Sequence, residues 1–295
     1  MKKIFLLLFI LLLFTPIALA QEIETSVYIL NLGKFDVATG TFTADFYLSM
    51  KCDTECNSNF EFMNGRATSI DKIIDEKNEK FYRIQASLNS PVNLKQFPFD
   101  KQKMEIIIED KITPIEDLIY VPKLEESGLD DSIIFIGWDL DGWNAEAKEH
   151  YYPAYEETYS QYVFTIDISR PSINAFFKTF LPVIFIVLIA LLSFFLDPDK
   201  ITTRLGMVGS ALVASVMFHV SITNQIPPVG YLTFADKFMI LTYFVLLASF
   251  ILNVLMLDLL ERKKNELVDK IHKVTEYSMI FIVVILYALL LIFLM

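Results

Sequence analysis

Four apolar runs, at residues 173–196, 205–226, 234–257 and 274–295, constrain this chain more than anything else in it. At 1.5 Å per helical residue, each is long enough to cross the ~30 Å of hydrocarbon in a bilayer. In lipid every backbone N–H and C=O must be satisfied internally, so the runs are expected as helices. Runs one, three and four are rich in Leu, Ile and Phe all round. The second is different. It carries Gly206, Gly209, Ser210, Ser215, His219, Ser221, Thr223 and Asn224.

Small and hydroxylic residues let helices approach closely, and packing is one reading of run two. A second reading comes from its periodicity. At 3.6-residue spacing a single stripe collects Gly206, Ser210, Val213, Met217, Val220 and Asn224. It is small or polar towards both ends and apolar in the middle. A ring of such helices would line a permeable path with a hydrophobic constriction, able to gate by dewetting. One such helix per chain cannot enclose a pore, so this reading requires an oligomer. His219 falls off the stripe. It is open to two roles, a packing residue with satisfied nitrogens or a proton sensor.

The rest of the chain is unlike the runs. Residues 21–170 hold 28 acidic and 14 basic residues, a net charge of −14, whereas residues 171–295 are near neutral. Short alternating stretches separated by turn residues fill the acidic part, among them 41–50 with Phe42, Ala44, Phe46 and Leu48 on one face. The pattern predicts a β-sandwich. Ahead of it, Lys2 and Lys3, an apolar run and Ala18-Leu19-Ala20 read as a signal peptide over residues 1–20. The acidic domain is therefore expected outside. Positive charge at 200–204 and 262–273 then falls inside, as the positive-inside rule requires, and the C-terminus lies outside. This is a multi-pass protein of the plasma or inner membrane, with residues 21–170 extracellular or periplasmic. Cys52 and Cys56 are the only cysteines; in an exported domain they predict a small disulfide loop.

Enzyme chemistry lacks its parts. His150, His219 and His272 are the only histidines, and no metal motif or glycine-rich phosphate loop is present. Nothing calls for a cofactor or for nucleic acid. Modulation by protons or by divalent cations such as calcium stays open, given the many carboxylates.

Residues 97–100 read Phe-Pro-Phe-Asp, followed by Gln102. In context this resembles the signature loop of the pentameric ligand-gated (Cys-loop receptor) channels. Gly33–Asp36 and the stretch from Gly40 to Tyr47 resemble the family's first hairpin. Arg170, Leu181-Pro182, Asn224-Gln-Ile-Pro227 and Tyr231 match further features in order. The two family cysteines would fall at Ser90 and Met104, so the resemblance is to the prokaryotic type without that bridge.

The resemblance implies an extracellular domain of about ten strands, a four-helix membrane domain (residues 171–295), a homopentamer and a central pore from five copies of run two. Agonists of the family bind between subunits under a loop between the ninth and tenth strands. Here that loop is expected at 148–160, with Tyr151, Tyr152, Tyr155 and Tyr159 as candidates for a cation-binding aromatic box. An exposed aromatic edge is the competing reading. Phe62 and Arg83 are further candidates. Asp36, Phe97, Pro98, Phe99, Asp100, Arg170, Pro227 and Tyr231 are implied to couple binding to the pore, with Arg170 paired to an acid.

Selectivity pulls two ways. No acid stands at 201–204, where family cation channels carry glutamate, and Gly206 suits an anion channel. The field of the −14 domain favours cations. The reading is a ligand-gated cation channel whose partners are its own copies, membrane lipids, inorganic ions and an unidentified small-molecule agonist. The alternatives are an anion channel of the same family, or a non-channel receptor or transporter with an exported binding domain.

Overall fold

A computed structural model describes residues 20–294, with side chains up to Ile292. The expected signal peptide, Ala20 apart, lies outside the described residues. The chain divides into two compact units: residues up to 91 with 103–136 and 140–167, and residues 92–102, 137–139 and 168 onward.

The first unit is a two-sheet β-structure. Its strands are β1 (Gln21–Leu32), β2 (Thr41–Lys51), β3 (Phe60–Phe62), β4 (Gly65–Asp75), β5 (Glu79–Asn89), β6 (Lys101–Asp110), β7 (Leu118–Pro122), β8 (Gly128–Leu129), β9 (Asp139–Tyr152) and β10 (Glu157–Ser169). One sheet runs β4-β5-β2-β1-β7 with β8 also on β1; the other runs β3-β6-β10-β9. The alternation seen in 41–50 is real: Phe42, Ala44, Phe46 and Leu48 are buried while Thr41 and Thr43 face out. This is the expected sandwich, with ten strands among the described residues.

The turn between β1 and β2 needs a glycine. Gly40 has φ +74°, and a Cβ there would lie 2.1 Å from the Ser90 carbonyl oxygen. Asp36 shapes the same turn, accepting from the Ala38 amide at 2.9 Å and the Thr39 hydroxyl at 3.1 Å. Cys52 and Cys56 are bridged. Cys52 N and Cys56 N donate to the carbonyls of Asn78 and Lys77, which ties the bridged loop to the β4–β5 turn.

The segment expected as a loop at 148–160 is mostly strand. β9 runs to Tyr152 and β10 starts at Glu157, leaving a tight turn at 153–156 with Glu156 at φ +56°. β9 is exposed along most of its length, so it lacks the apolar alternation that announces a strand, and backbone pairing with β10 holds it instead.

The second unit contains α1 (Ser172–Thr179), α2 (Leu181–Leu192), α3 (Ile201–Thr223), α4 (Phe234–Glu261) and α5 (Asn265–Leu294). Among the described residues, four helical stretches are long and apolar enough to cross a membrane: Ser172–Phe195, Pro198–Thr223, Phe234–Glu261 and Asn265–Ile292. The first is interrupted at Phe180, because Pro182 in the first turn of α2 has no N–H to continue the ladder. The largest differences from the expected runs fall at two ends. The second stretch includes 198–204, and the last begins at Asn265 rather than 274. There the polar residues 265–273 continue the helix, held by buried Val268 and by Ile271, which packs on the core. Val183, Val187, Phe194, Ile201, Ile222, Phe234, Met239, Val245, Met256 and Val283 form that core.

Candidate functional site

α3 has two contrasting faces. Ile201, Arg204, Val208, Ala211, Ser215 and Ile222 are buried against the neighbouring helices. Gly206, Ser210, Val213, Met217, Val220 and Asn224 are all exposed on this chain, with Val213 at 61%, Met217 at 71% and Val220 at 54%. The predicted stripe therefore coincides with the uncovered face of α3. Gly206 does not serve helix packing within the chain, since a Cβ there would meet nothing within 4 Å. Gly209 is closer to that role, its Cβ position lying 3.9 Å from the Phe250 ring.

Arg204 reads in the sequence as one of the inside loop charges, and its burial escapes that reading. Its side chain is fully buried, Nη1 lies 3.7 Å from Met256 Sδ, and Cζ sits 5.3 Å from the centre of the Phe194 ring. Its charge is turned away from the exposed stripe. His219 lies between α3 and α4, with Nδ1 2.8 Å from the Tyr243 hydroxyl and Nε2 3.1 Å from Asp236 Oδ1. Both nitrogens have partners, as a packing histidine needs. Asp236 is also the N3 carboxylate of a capping box with Thr233 that starts α4.

The Phe97-Pro98-Phe99-Asp100 loop belongs to the helical unit. The amides of Phe234 and Ala235, orphaned at the start of α4, donate to the carbonyls of Lys95 at 2.9 Å and Phe97 at 3.0 Å. The Leu94 amide donates to the Tyr231 hydroxyl at 2.9 Å. Phe99 stacks on Phe180 at 5.5 Å and lies 6.0 Å from Phe234. Asp100 is buried and accepts from Arg170 Nε at 2.6 Å and Gln102 Nε2 at 2.7 Å. The Arg170 guanidinium also lies over Trp138 at 4.5 Å and Phe97 at 5.2 Å. The acid that pairs with Arg170 is thus Asp100 itself. Pro227 is half-buried just beyond α3. An apolar cavity of 670 Å³, lined by Phe99, Phe180, Phe234, Phe238, Val283 and Tyr287 among others, has the chemistry to take a lipid tail.

In the β unit, three of the four candidate tyrosines gather. Tyr152 lies 5.6 Å from Tyr159 and 6.4 Å from Tyr155. Tyr151, one residue along β9, points to the other face. Beside the cluster lies a polar set that the sequence did not reveal. Glu109, buried at the end of β6, accepts from the Tyr152 hydroxyl at 2.9 Å and Gln161 Nε2 at 2.7 Å, and lies 3.0 Å from His150 Nδ1. Burial, the bond to Glu109 and the charges of Glu109 and Glu61 push the Tyr152 hydroxyl up to about 12. Phe62 and Arg83 are not brought to the cluster within this chain. Phe62 is buried beside Phe46 and Phe60, and Arg83 binds Asp45 in the other sheet through Nε at 3.1 Å and Nη2 at 2.9 Å.

Next to Glu109, Asp110 caps the following loop. Burial alone would raise its carboxyl, but the amides of Ile112, Thr113 and Asn59 outweigh it and hold the group below its ordinary value. A lowered folded-state value stabilises the domain above the unfolded value of ~4 and is lost as pH falls through the folded one. Asp110→Asn is therefore expected to lose roughly 1–3 kcal/mol at pH 7, with the deficit shrinking below about pH 4. Melting curves at both pH values check this.

No family model matches the chain. Relatives do. A proton-gated ion channel of Gloeobacter violaceus is 23% identical over 161 residues, 55% of this chain and 44% of that protein. The neuronal acetylcholine receptor subunit alpha-9 of Gallus gallus is 24% identical over 167 residues, 57% of this chain and 34% of that protein. The pH-sensitive chloride channel 2 of Drosophila melanogaster is 28% identical over 173 residues, 55% of this chain and 33% of that protein. The chain is similar to ligand-gated ion channels. The matched stretches cover less than half of these relatives' own length. With its four apolar helices, it is a multi-pass membrane protein.

Proposed function

We propose that this chain is one subunit of a homopentameric ligand-gated ion channel, with five copies of α3 around the conducting path. The observation that carries the reading is the uncovered face of α3. It presents Gly206 and Ser210 at one end, Asn224 at the other and Val213, Met217 and Val220 between them, while the opposite face is packed away. A lipid-facing helix would have no use for Ser210 or Asn224 there, and an intrachain packing face would be covered. The similarity to ligand-gated channels supports the same reading. The subunit is of the type lacking the family's signature bridge, since Ser90 and Met104 stand at those positions and the two cysteines are joined to each other.

Agonist binding falls to the β9–β10 hairpin, where Tyr152, Tyr155 and Tyr159 offer aromatic faces to a cation. The turn from Asp36 to Gly40, the Phe97–Asp100 loop, Arg170, Pro227 and Tyr231 transmit it to the path. Conduction favours cations. Residues 21–170 carry a net −14, and the buried Arg204 does not add its charge to the exposed stripe. Chloride selectivity is the second reading, favoured by the absence of an acid at 201–204. Purified protein in planar bilayers under a tenfold NaCl gradient tests both. A reversal potential shifted towards the sodium equilibrium value is expected. A shift towards chloride would reverse the selectivity, and silence across agonists and pH would remove the channel.

A further inference from the structure

Arg204 stands in the first turn of α3, yet its side chain is fully buried. An arginine this close to a helix end ordinarily snorkels to water on its long stem. Here it turns inward. The guanidinium lies over the Phe194 ring at 5.3 Å, and Nη1 donates to the thioether of Met256 at 3.7 Å. Nε and Nη2 are buried with no hydrogen-bond partner among the described residues. Phe194 lies two residues beyond α2, where the carbonyl end of that helix draws a cation. A ring face and a helix end hold the charge, but they do not replace the hydrogen bonds that two orphaned guanidinium nitrogens forfeit. The groups that would satisfy it are close in the chain. Asp199 and Asp197 are exposed on the turn ahead of α3, five and seven residues before Arg204, and neither carboxylate is in an ion pair among the described residues. On α4, by contrast, Asp258 is already bound to Arg262 at 2.9 Å.

We propose that Arg204 is a two-position latch at the N-terminal end of α3. In the inward position, the one seen here, the guanidinium ties α3 to Phe194 and to Met256 of α4 and leaves the two carboxylates free. In the outward position it forks onto Asp199 or Asp197 as a charge-assisted pair. Each position gives up what the other supplies: contact with a ring face and a helix end in one, hydrogen bonds and water in the other. The exchange is a side-chain rotation between two discrete arrangements and leaves the helix wound. It decides whether the carboxylates ahead of α3 stand free or neutralised, and so how strongly cations gather at that end of the helix. This consequence for conduction rests on the channel reading, whereas the latch does not.

A water-soluble arylglyoxal modifies guanidinium groups that solvent reaches, and its use on the full chain in lipid nanodiscs, read peptide by peptide by mass spectrometry, tests the latch. Arg262, exposed just past α4, is the reference, and Arg170, held by Asp100, reports that the fold is intact. Arg204 is expected to react, more slowly than Arg262. Phe194→Leu removes the ring face and should raise the Arg204 rate about tenfold, whereas Asp197→Asn combined with Asp199→Asn removes the outward partners and should lower it about tenfold. Arg170 and Arg262 should react as before in both. If Phe194→Leu also speeds Arg170, the double variant at the two exposed carboxylates decides alone. An Arg204 that stays unmodified in the wild type, or a rate that these substitutions leave unchanged or move the other way, would overturn the proposal. Bilayer currents recorded in parallel separate the two readings. The expected pattern of modification without current supports the latch and counts against the channel, while current with Arg204 unmodified overturns the latch and leaves the channel standing.

Discussion

Arg170→Ala should be the most damaging single change in the helical unit. It strips the buried Asp100 carboxylate of the Arg170 guanidinium and keeps the Gln102 amide as a side-chain donor. Breaking a buried pair by removing one partner costs roughly 3–5 kcal/mol, because the other charge stays behind. For a chain of this size that corresponds to a fall in melting temperature of roughly 10 °C. Removing both charges should hurt less. Asp100→Asn combined with Arg170→Gln is expected to recover at least half of the loss, giving a large favourable coupling in a double-mutant cycle. Protein that still reaches the membrane should not gate, since Arg170 holds the loop that caps α4 through Asp100. Unchanged melting together with normal currents from Arg170→Ala would refute both halves.

The second large effect is expected at the middle of the uncovered stripe. Val213→Ser replaces an exposed apolar side chain with a hydroxyl where the proposed path is driest. If five valines meet across a closed constriction, each loses of order 1.5 kcal/mol of apolar contact on substitution, and the water barrier falls with it. Even one such increment moves an open–closed balance about tenfold. Leak current without agonist should therefore rise by about tenfold or more, measured per channel in planar bilayers. Val216→Ser, also exposed but off the stripe, is the control and should leave the leak unchanged. Equal leak from the two variants would mean that α3 does not line the path through Val213.

The membrane helices were legible because nothing else in protein chemistry needs twenty apolar residues in a row. Their ends were less so. Residues 265–273 are polar enough to read as a loop, yet Val268 and Ile271 return to the core at helical spacing and keep α5 wound. The stripe on α3 was visible as a period, whereas the burial of Arg204 was not, since an arginine near a helix end ordinarily reads as a solvated charge. The tyrosines announced the hairpin by composition. Their polar partners did not, because Glu109 and His150 are 41 residues apart and only strand order brings them together. Glu109 also breaks the alternation of β6, being buried next to two other buried residues, Ile108 and Asp110. A carboxylate where alternation calls for an outward position carries no mark of that in the sequence.

The backbone bonds from Lys95 and Phe97 to the first amides of α4 set a rule for anyone building hybrids. A chimera joined only at residue 170 would bring a foreign 92–102 segment to these helices, with side chains shaped for another partner at positions 97 and 99 and against Tyr231. The working graft moves three segments and has five seams. Residues 92–102 and 137–139 must travel with the helices from 168 onward, although they are encoded ahead of them. What looks like a boundary in the gene is an inlay in the protein.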